Sequence, residues 1–262
     1  MATNAITLGR VRFSYVFLKD PFRHPNGGSR EYVPQAVVDR IIAEQGKGSK
    51  EISDLTYSIQ LIIGKDDKLP GTDKTIMEAL GEKVANAVTE AVAANRLKED
   101  QGDKLRKHWL DRSALFLASE GKLKTTVRDS DVQGVEPTPA HLVNTYTFNV
   151  SPKAKLGRVP TFKWGVNPST NKQGAVPVDV EEIHSGDYGF VELVPYIFSN
   201  SGSIGLTFFI NSILKTQDGE RLDGTRDAGA AFESLGDYMA EASDAGASEF
   251  ASEPAESIDD VL

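Results

Sequence analysis

The chain has 262 residues and a mass of 28.4 kDa, and its 29 basic and 38 acidic side chains give a net charge of −9 at pH 7. Taken whole, this acidity argues against a nucleic-acid-binding protein, because such proteins are usually basic. The sequence has no cysteine, which excludes disulfides, thiolate metal sites and cysteine nucleophiles, and no apolar run reaches the ~20 residues of a membrane span.

The amino-terminal part of the sequence has the pattern of a β-strand. Apolar and polar residues alternate over residues 8–18, which predicts a half-buried strand with Val11, Phe13, Tyr15 and Phe17 on one face. The residues before it lack the basic-then-apolar layout of a secretory signal, so no such signal is expected.

Helix and strand patterns follow one another in the next part of the chain. Apolar residues recur at helical spacing over 34–45 and over 72–95, where Thr72 is the predicted N-cap. A strand rich in β-branched and aromatic residues is predicted between them at 54–63, and a second helix is predicted at 98–110. The helices between 72 and 110 are therefore expected as an insertion between strands.

Strand patterns dominate the remainder of the body. Short strands are predicted at 121–128 and 142–150, and the strongest pattern is a hairpin that joins 187–198 to 203–214. Pro195 lies inside the first hairpin strand and cannot donate a backbone hydrogen bond. It therefore predicts an edge position or a bulge there.

These elements predict a mainly β (α+β) fold. About six short, aromatic strands bounded by turns suit a small β-barrel or sandwich with inserted helices. An α/β sheet is the alternative, but the last four strands have no helix between them that is long enough for a crossover connection. We expect residues 1–226 to form one domain with a helical insertion at about 72–110.

Most of the net charge lies in residues 227–262, which we call the acidic tail. The tail contains ten Asp and Glu residues and no Lys, Arg or His, whereas the preceding 226 residues carry 29 basic and 28 acidic side chains. Its Ala-, Ser- and Gly-rich composition cannot bury enough apolar surface to offset the entropy of ordering, so we expect a disordered tail. The chain is thus a nearly neutral body with an acidic arm.

Motifs of catalysis and metal binding fail on their spacing. Residues 46–49 (GKGS) resemble a phosphate-binding loop, but Ile41 and Gly48 stand where that motif needs Gly and Ser or Thr. Residues 129–134 resemble a calcium loop, but Ala140 stands where its bidentate Glu belongs. The histidines are far apart in the sequence. No catalytic residue, metal or cofactor is therefore expected, and the chain is predicted not to be an enzyme.

Residues 137–178 contain no acidic residue, and cations alternate there with aromatic residues. Residues 8–32 and the basic face of 121–128 have a similar character. Cations neutralise phosphates and aromatic rings stack on unpaired bases, so the combination is typical of a groove for single-stranded nucleic acid. The predicted phosphate contacts are Arg10, Arg12, Lys122, Lys124, Arg128, Lys153, Lys155, Arg158 and Lys163, and the predicted stacking residues are Phe162, Trp164 and Tyr146.

The core and the plain solvated surface are the alternative locations for these side chains. The acidic tail gives the groove hypothesis a further element, because a flexible polyanion can occupy a basic groove and leave it when a nucleic acid binds. Its last residues are then free for partner proteins, and the predicted partner-binding residues are Asp259, Asp260, Val261 and Leu262. The alternative is that the tail serves only solubility.

Several segments carry a family pattern. They are residues 9–15 (GRVRFSY), 57–63 (YSIQLII) and 183–200, whose pattern continues through Gly205-Leu206 to 215–222 (KTQDGERL). In this order they resemble bacteriophage-encoded single-stranded-DNA-binding proteins, which have an OB-fold core and an acidic C-terminal tail. The Ser-Gly-x-Tyr-Gly segment with the later Asp-Gly-Glu is the most specific piece.

The resemblance implies an OB fold and sequence-independent binding of single-stranded DNA during phage replication, recombination and repair in the cytoplasm of the infected host. It also implies that the tail contacts phage replication proteins such as a polymerase, helicase or primase. Two features depart from the family. The tail ends on Val261-Leu262 and not on an aromatic residue, and the helical segment 72–110 is long.

Two other functions stay open at the level of sequence. One is a virion structural or scaffold-interaction protein that uses the tail as a binding arm, and the other is a metal-dependent nuclease built from scattered carboxylates. A homodimer also stays open, and the choice of DNA over RNA rests on the resemblance alone.

Overall fold

The computed structural model describes residues 4–110, 123–132, 138–200 and 203–222, and all of these belong to one compact unit. Its strands are β1 Ile6–Arg23, β2 Glu31–Tyr32, β3 Thr56–Gly64, β4 Leu123–Thr125, β5 Val127–Asp129, β6 Thr145–Val150, β7 Thr161–Asn167, β8 Lys172–Pro177, β9 Tyr188–Asn200 and β10 Ser203–Gln217. Its helices are α1 Gln35–Gln45, α2 Ile76–Ala93 and α3 Glu99–Leu110. The predicted mainly β fold with inserted helices is confirmed.

The strands pair into a ring. The hydrogen-bonded order β5-β6-β3-β1-β9-β10 is antiparallel throughout. Strand β4 then pairs in parallel with β10 at Ile204–Leu206, and Thr126 alone separates β4 from β5. The pairings therefore lead from β10 back to β6, as in a small barrel, which leaves few unpaired edges.

The register of the strands explains the core. Phe13 of β1 is opposite Leu61 of β3, which is opposite Phe148 of β6, which is opposite Val127 of β5. All four side chains are buried, because residues in one cross-strand row point to the same face. The Phe148 ring also meets that of Phe208 on β10, with centroids 5.7 Å apart, so the row packs against the far wall of the ring.

Strand β1 contains two bulges that alter the predicted pattern. Arg10 and Tyr15 have φ values of 55° and 47°, and the register with the neighbouring strands shifts beside each of them. The predicted apolar face of β1 is therefore wrong at Tyr15, which is 62% exposed, while Ser14 is buried. A bulge adds an unpaired residue and reverses the faces beyond it, which alternation cannot reveal.

The inserted helices pack around the barrel strands. Helix α2 contacts β9 and β1, and α3 contacts α2 and β10. The predicted N-cap of the long helix was wrong. Thr75 is the N-cap, with a capping box that pairs its side chain and backbone with Glu78, whereas the Thr72 hydroxyl donates to the Leu69 carbonyl oxygen.

Pro195 lies in a part of β9 that has a paired strand on only one side, so the backbone N–H that proline lacks is not needed on the other side. The pairing of β9 with β1 runs only from Tyr188 to Leu193, so beyond Leu193 that edge of the strand has no β1 neighbour. On the other edge Pro195 is opposite Phe208 of β10. The predicted edge position of the proline is thus confirmed, because this end of β9 is an edge although the rest of the strand lies between β1 and β10.

One edge of β10 has two partners. Residues Ile204–Leu206 pair with β4, and residues Ile213–Lys215 pair in parallel with β7. Strand β7 continues away from this contact and pairs with β8, which forms a second hairpin that the sequence patterns did not predict. No helix among the described residues is long and apolar enough to cross a membrane. The acidic tail and Lys122 lie outside the described residues, so the expected disorder of the tail stays a prediction.

The segment after β10 is held against β1 and β9 by a close backbone approach. The Arg12 guanidinium donates to the carbonyl oxygens of Gly186 and Glu220, at 3.3 Å and 3.0 Å, and the Leu222 amide donates to the Ser185 carbonyl oxygen. Gly186 has φ of 114°, and a Cβ there would lie 2.0 Å from the Glu220 carbonyl oxygen. Only glycine allows this approach.

Replacement of Gly186 with alanine is expected to lower the free energy of unfolding by about 2 kcal/mol or more, because the new Cβ meets backbone and the positive φ strains an L-residue. Thermal unfolding followed by circular dichroism measures the effect. Gly174→Ala is the matched control, since nothing lies within 4 Å of a Cβ at this position on β8. Equal melting temperatures for the two variants would contradict the assignment.

Candidate nucleic-acid interface

The β7–β8 hairpin projects from the barrel with most of its residues exposed. Its register sets Phe162 opposite Pro177 and Trp164 opposite Ala175. Because alternate residues share a face, Phe162, Trp164 and Val166 lie on one side of the hairpin. Trp164 is 54% exposed, which is a large apolar surface to leave in water without a ligand.

This face of the hairpin forms one wall of an apolar groove of about 630 Å³, which we call the hairpin groove. The floor of the groove is the outer face of β1, β9 and β10. The apolar lining consists of Phe162, Trp164, Ala175, Phe190, Val191 and Leu214, and the polar lining consists of Thr7, Glu192, Ser212 and Thr216. Its volume is in the range of ligand-binding clefts.

The strand register brings the ring-bearing residues together from separate parts of the chain. Phe190 of β9 is opposite Leu214 of β10, which is opposite Phe162 of β7. This row runs across three strands from the floor to the wall. Trp164 follows two residues further along β7, so the groove presents aromatic rings on two of its sides.

A glycine makes room for the floor of the groove. A Cβ on Gly9 would lie 2.8 Å from the Phe190 ring and 2.6 Å from Pro70. The absence of a side chain on β1 at this point therefore lets Phe190 occupy its position. This close packing fixes the ring that the groove presents.

Cations border the hairpin. Arg158 is exposed and lines, with Phe162, an adjoining cleft of about 340 Å³. Lys163 lies on the opposite face of β7 from Trp164, where its ammonium is 2.9 Å from a Glu182 carboxylate oxygen. Both partners of this ion pair are about half exposed, so the pair contributes little to stability and leaves the lysine available for exchange with a phosphate.

Lys215 of β10, which is opposite Lys163 of β7, forms a polar network beside the base of the hairpin. Its ammonium is 2.8 Å from Asp187 and 2.7 Å from Asp218, and it also donates to the Glu182 carbonyl oxygen. Burial alone would lower the pKa of Lys215, but the hydrogen bonds with the two carboxylates offset it, and the pKa is raised. The ammonium of this lysine is therefore occupied by contacts within the protein.

The guanidinium of Arg12 is also occupied by contacts within the protein. It is half-buried, its guanidinium holds the carbonyls of Gly186 and Glu220, and it lies 5.4 Å from the centre of the Tyr188 ring. Burial and the nearby Arg12 charge lower the pKa of His141. These contacts give Arg12 a structural reason to be present, whatever it does with a ligand.

The structure separates the other predicted cations from the hairpin. Arg10 is exposed at the first bulge of β1, three residues after Thr7 of the groove. Arg128 is exposed on β5, while Lys153 and Lys155 lie where the chain leaves β6, beside the start of β3. Lys124 lies on β4, and its side chain is not described.

Tyr146 lies in the core. Its side chain is only 5% exposed, and the Lys65 ammonium lies 5.4 Å from its ring centre. A base would therefore find no open ring face to stack on, so Tyr146 is not available as a stacking residue in this structure.

The basic and aromatic side chains of residues 8–32 contact one another at the end of β1. The Arg30 guanidinium lies 4.2 Å from the Phe17 ring centre and 4.7 Å from that of Phe22, and Tyr32 and His24 pack against Phe22. Phe22 is buried, so the arginine covers an apolar cluster at the end of β1.

Sequence reasoning predicted the wall of the groove and missed its floor. Phe162 and Trp164 were predicted, whereas Phe190, Leu214 and Glu192 were not. Their alternation along β9 and β10 was visible, but only the pairing of β7 with β10 shows which face becomes a groove. No group of residues among those described has the geometry of a metal site.

An open aromatic groove bordered by cations on a barrel is a feature of single-strand-binding barrel proteins. The sequence matches the family model described as Enterobacter phage Enc34, ssDNA-binding protein, over residues 43–245, which is more than half of the chain. The chain therefore belongs to this family of phage ssDNA-binding proteins. The stated resemblance is confirmed, as is the expectation of a binding protein and not an enzyme.

Solved structures similar to this chain include those of two phage proteins. The single-stranded DNA-binding protein from bacteriophage Enc34 in complex with ssDNA is 18% identical with a TM-score of 0.44, over 84% of this chain and 89% of that one. The single-stranded DNA-binding protein gp2.5 encoded by bacteriophage T7 is 14% identical with a TM-score of 0.39, over 87% and 93% of the two chains. No match was found among curated proteins.

The Lys163–Glu182 pair makes a testable prediction. Glu182→Gln is expected to tighten binding of oligo-dT about twofold to fivefold at low salt, because Lys163 loses its competing carboxylate. Fluorescence titration measures the affinity. Glu181→Gln is the control, since Glu181 pairs with Lys19 and not with the hairpin. An unchanged affinity for Glu182→Gln would show that Lys163 does not contact the strand.

Proposed function

We propose that the chain binds single-stranded DNA in the hairpin groove. The observation that carries the proposal is the row of Phe190, Leu214 and Phe162, with Trp164 beside it, in an open groove. Unpaired bases stack on such rings, and every base has a face to stack. Arg158, Lys163 and Arg10 are proposed to contact the phosphates at the groove, and Lys122, Lys124, Arg128, Lys153 and Lys155 are proposed as further phosphate contacts.

The proposed biological role is protection and organisation of single strands during phage DNA replication, recombination and repair. Stacking and phosphate contacts hold a strand with little regard to its sequence, which suits that role. We expect the protein to carry out this role in the cytoplasm of the infected bacterium. Family membership supports the role, and the described residues offer no metal cluster that would support the nuclease alternative.

The acidic tail is proposed to regulate binding. The last described residue before it, Leu222, is held by Ser185 on the approach to β9, the strand that carries Phe190. The 40 residues of 223–262 would, as a flexible chain, have a root-mean-square span of about 35 Å. A polyanion of that reach competes with DNA for the cations. Once displaced, its Asp259-Asp260-Val261-Leu262 end is proposed to bind phage replication proteins.

Trp164→Ala is expected to weaken oligo-dT binding by about 1–3 kcal/mol, because one stacking ring is lost. Trp164→Phe is the control that keeps an aromatic ring and is expected to retain most of the affinity. Titrations of both variants at several salt concentrations measure the effect. A normal affinity for a folded Trp164→Ala protein would contradict the proposed groove.

Deletion of 227–262 is expected to tighten oligo-dT binding at low salt, and the gain is expected to shrink as salt rises, because the competition is electrostatic. A variant with the tail sequence scrambled at constant composition is the control and is expected to bind like the full chain. Unchanged or weaker binding after the deletion would contradict the regulatory role.

A further inference from the structure

Glu192 is a carboxylate in a groove that is otherwise suited to rings and polyanions. It lines the floor of the hairpin groove, and no described residue forms a hydrogen bond or an ion pair with its side chain. A carboxylate repels phosphate, so a groove that bound strands only through charge and stacking would gain from its removal. Its position calls for a ligand group that donates hydrogen bonds.

The strand register defines where this carboxylate lies relative to the rings. Glu192 is opposite Thr7 on β1 and opposite Ser212 on β10, which makes a polar row across the floor. The ring row through Phe190 lies two residues away on β9, a separation of about 6.7 Å. A base that stacks on Phe190 therefore has Glu192 at its edge and not beneath its face.

The edges of the bases differ in what they can give to a carboxylate. An ionised carboxylate accepts hydrogen bonds and cannot donate them. Cytosine, adenine and guanine carry exocyclic amino groups, and acidic side chains accept from the cytosine amino group in known readout. Thymine and uracil have no amino group, and their single ring N–H lies between two carbonyl oxygens that the carboxylate would repel.

We propose that Glu192 is a base-edge acceptor that gives the hairpin groove a preference for amino-bearing bases over thymine and uracil. Thr7 and Ser212 flank it with hydroxyl groups that can donate or accept. The proposal deepens, and rests on, the proposed binding of single-stranded DNA in this groove. The groove would then bind any sequence, with a modest preference for strands rich in amino-bearing bases.

The test compares oligo-dC with oligo-dU of about 16 nucleotides, near the upper site size of an OB fold, at mildly alkaline pH. These two pyrimidines differ in the group at C4 and the proton on N3, and both lack the thymine methyl group. The full-length protein is expected to bind oligo-dC about fivefold more tightly than oligo-dU, the lower end of one specific base contact.

In Glu192→Gln the ratio of the two affinities is expected to fall to about one, because glutamine can both accept from cytosine and donate to uracil. Glu192→Ala is the second variant, and its loss of the acceptor is expected to have the same effect. Glu181→Gln, outside the groove and paired with Lys19, is expected to keep the wild-type ratio.

The ratio of the oligo-dC and oligo-dU affinities distinguishes a base-edge acceptor from a carboxylate that only repels phosphates. If Glu192→Gln tightened binding of both oligonucleotides equally and kept their ratio, the carboxylate would act only as a charge and the proposal would be overturned. Equal binding of oligo-dC and oligo-dU by the wild-type protein would overturn the role of Glu192 but not the proposed binding of single-stranded DNA. Failure of the wild-type protein to bind either one would overturn the proposed function as well.

Discussion

One edge of β10 serves two partners, and both the barrel and the groove depend on this division. The first part of the strand pairs with β4, which leads the sheet back to β6. The later part pairs with β7, which starts a hairpin that leaves the barrel. A strand of 15 residues is long enough for both contacts, because each uses only three residues. A shorter β10 would close the barrel and have no wall for a groove.

The groove shows why net charge misleads for a chain of this kind. The carboxylates of the body are mostly engaged locally, as in the contacts of Glu182 with Lys163 and of Asp187 with Lys215. In both pairs a lysine of β7 or β10 neutralises the carboxylate, and Arg158 and Trp164 stay exposed. Glu192 differs from them, because it faces the groove with no cation beside it among the described residues. What a ligand meets is this local arrangement and not the sum over the chain.

Much of the fold was accessible from periodicity. The alternation in β3, β6, β9 and β10 and the helical spacing of α1 and α2 are visible in single segments, because burial of one face imposes a period of two or of 3.6. The errors occurred where a local rule met a tertiary constraint. Tyr15 leaves the apolar face because β1 bulges twice, and Thr72 loses the cap to Thr75, which has Glu78 at the spacing of a capping box.

The sequence by itself determined the mainly β class, the neutral body with an acidic tail, and the ring-bearing wall at Phe162 and Trp164, because composition and alternation are properties of contiguous residues. The tertiary structure decided the rest of the site. Phe190, Leu214 and Glu192 become neighbours of that wall only through the parallel pairing of β7 with β10. Tyr146, which is also aromatic and lies in the same acid-free stretch, is buried by the pairing of β6 with β3 and β5. Which face of a strand meets solvent is set by its partners, and partners distant in sequence leave no local pattern.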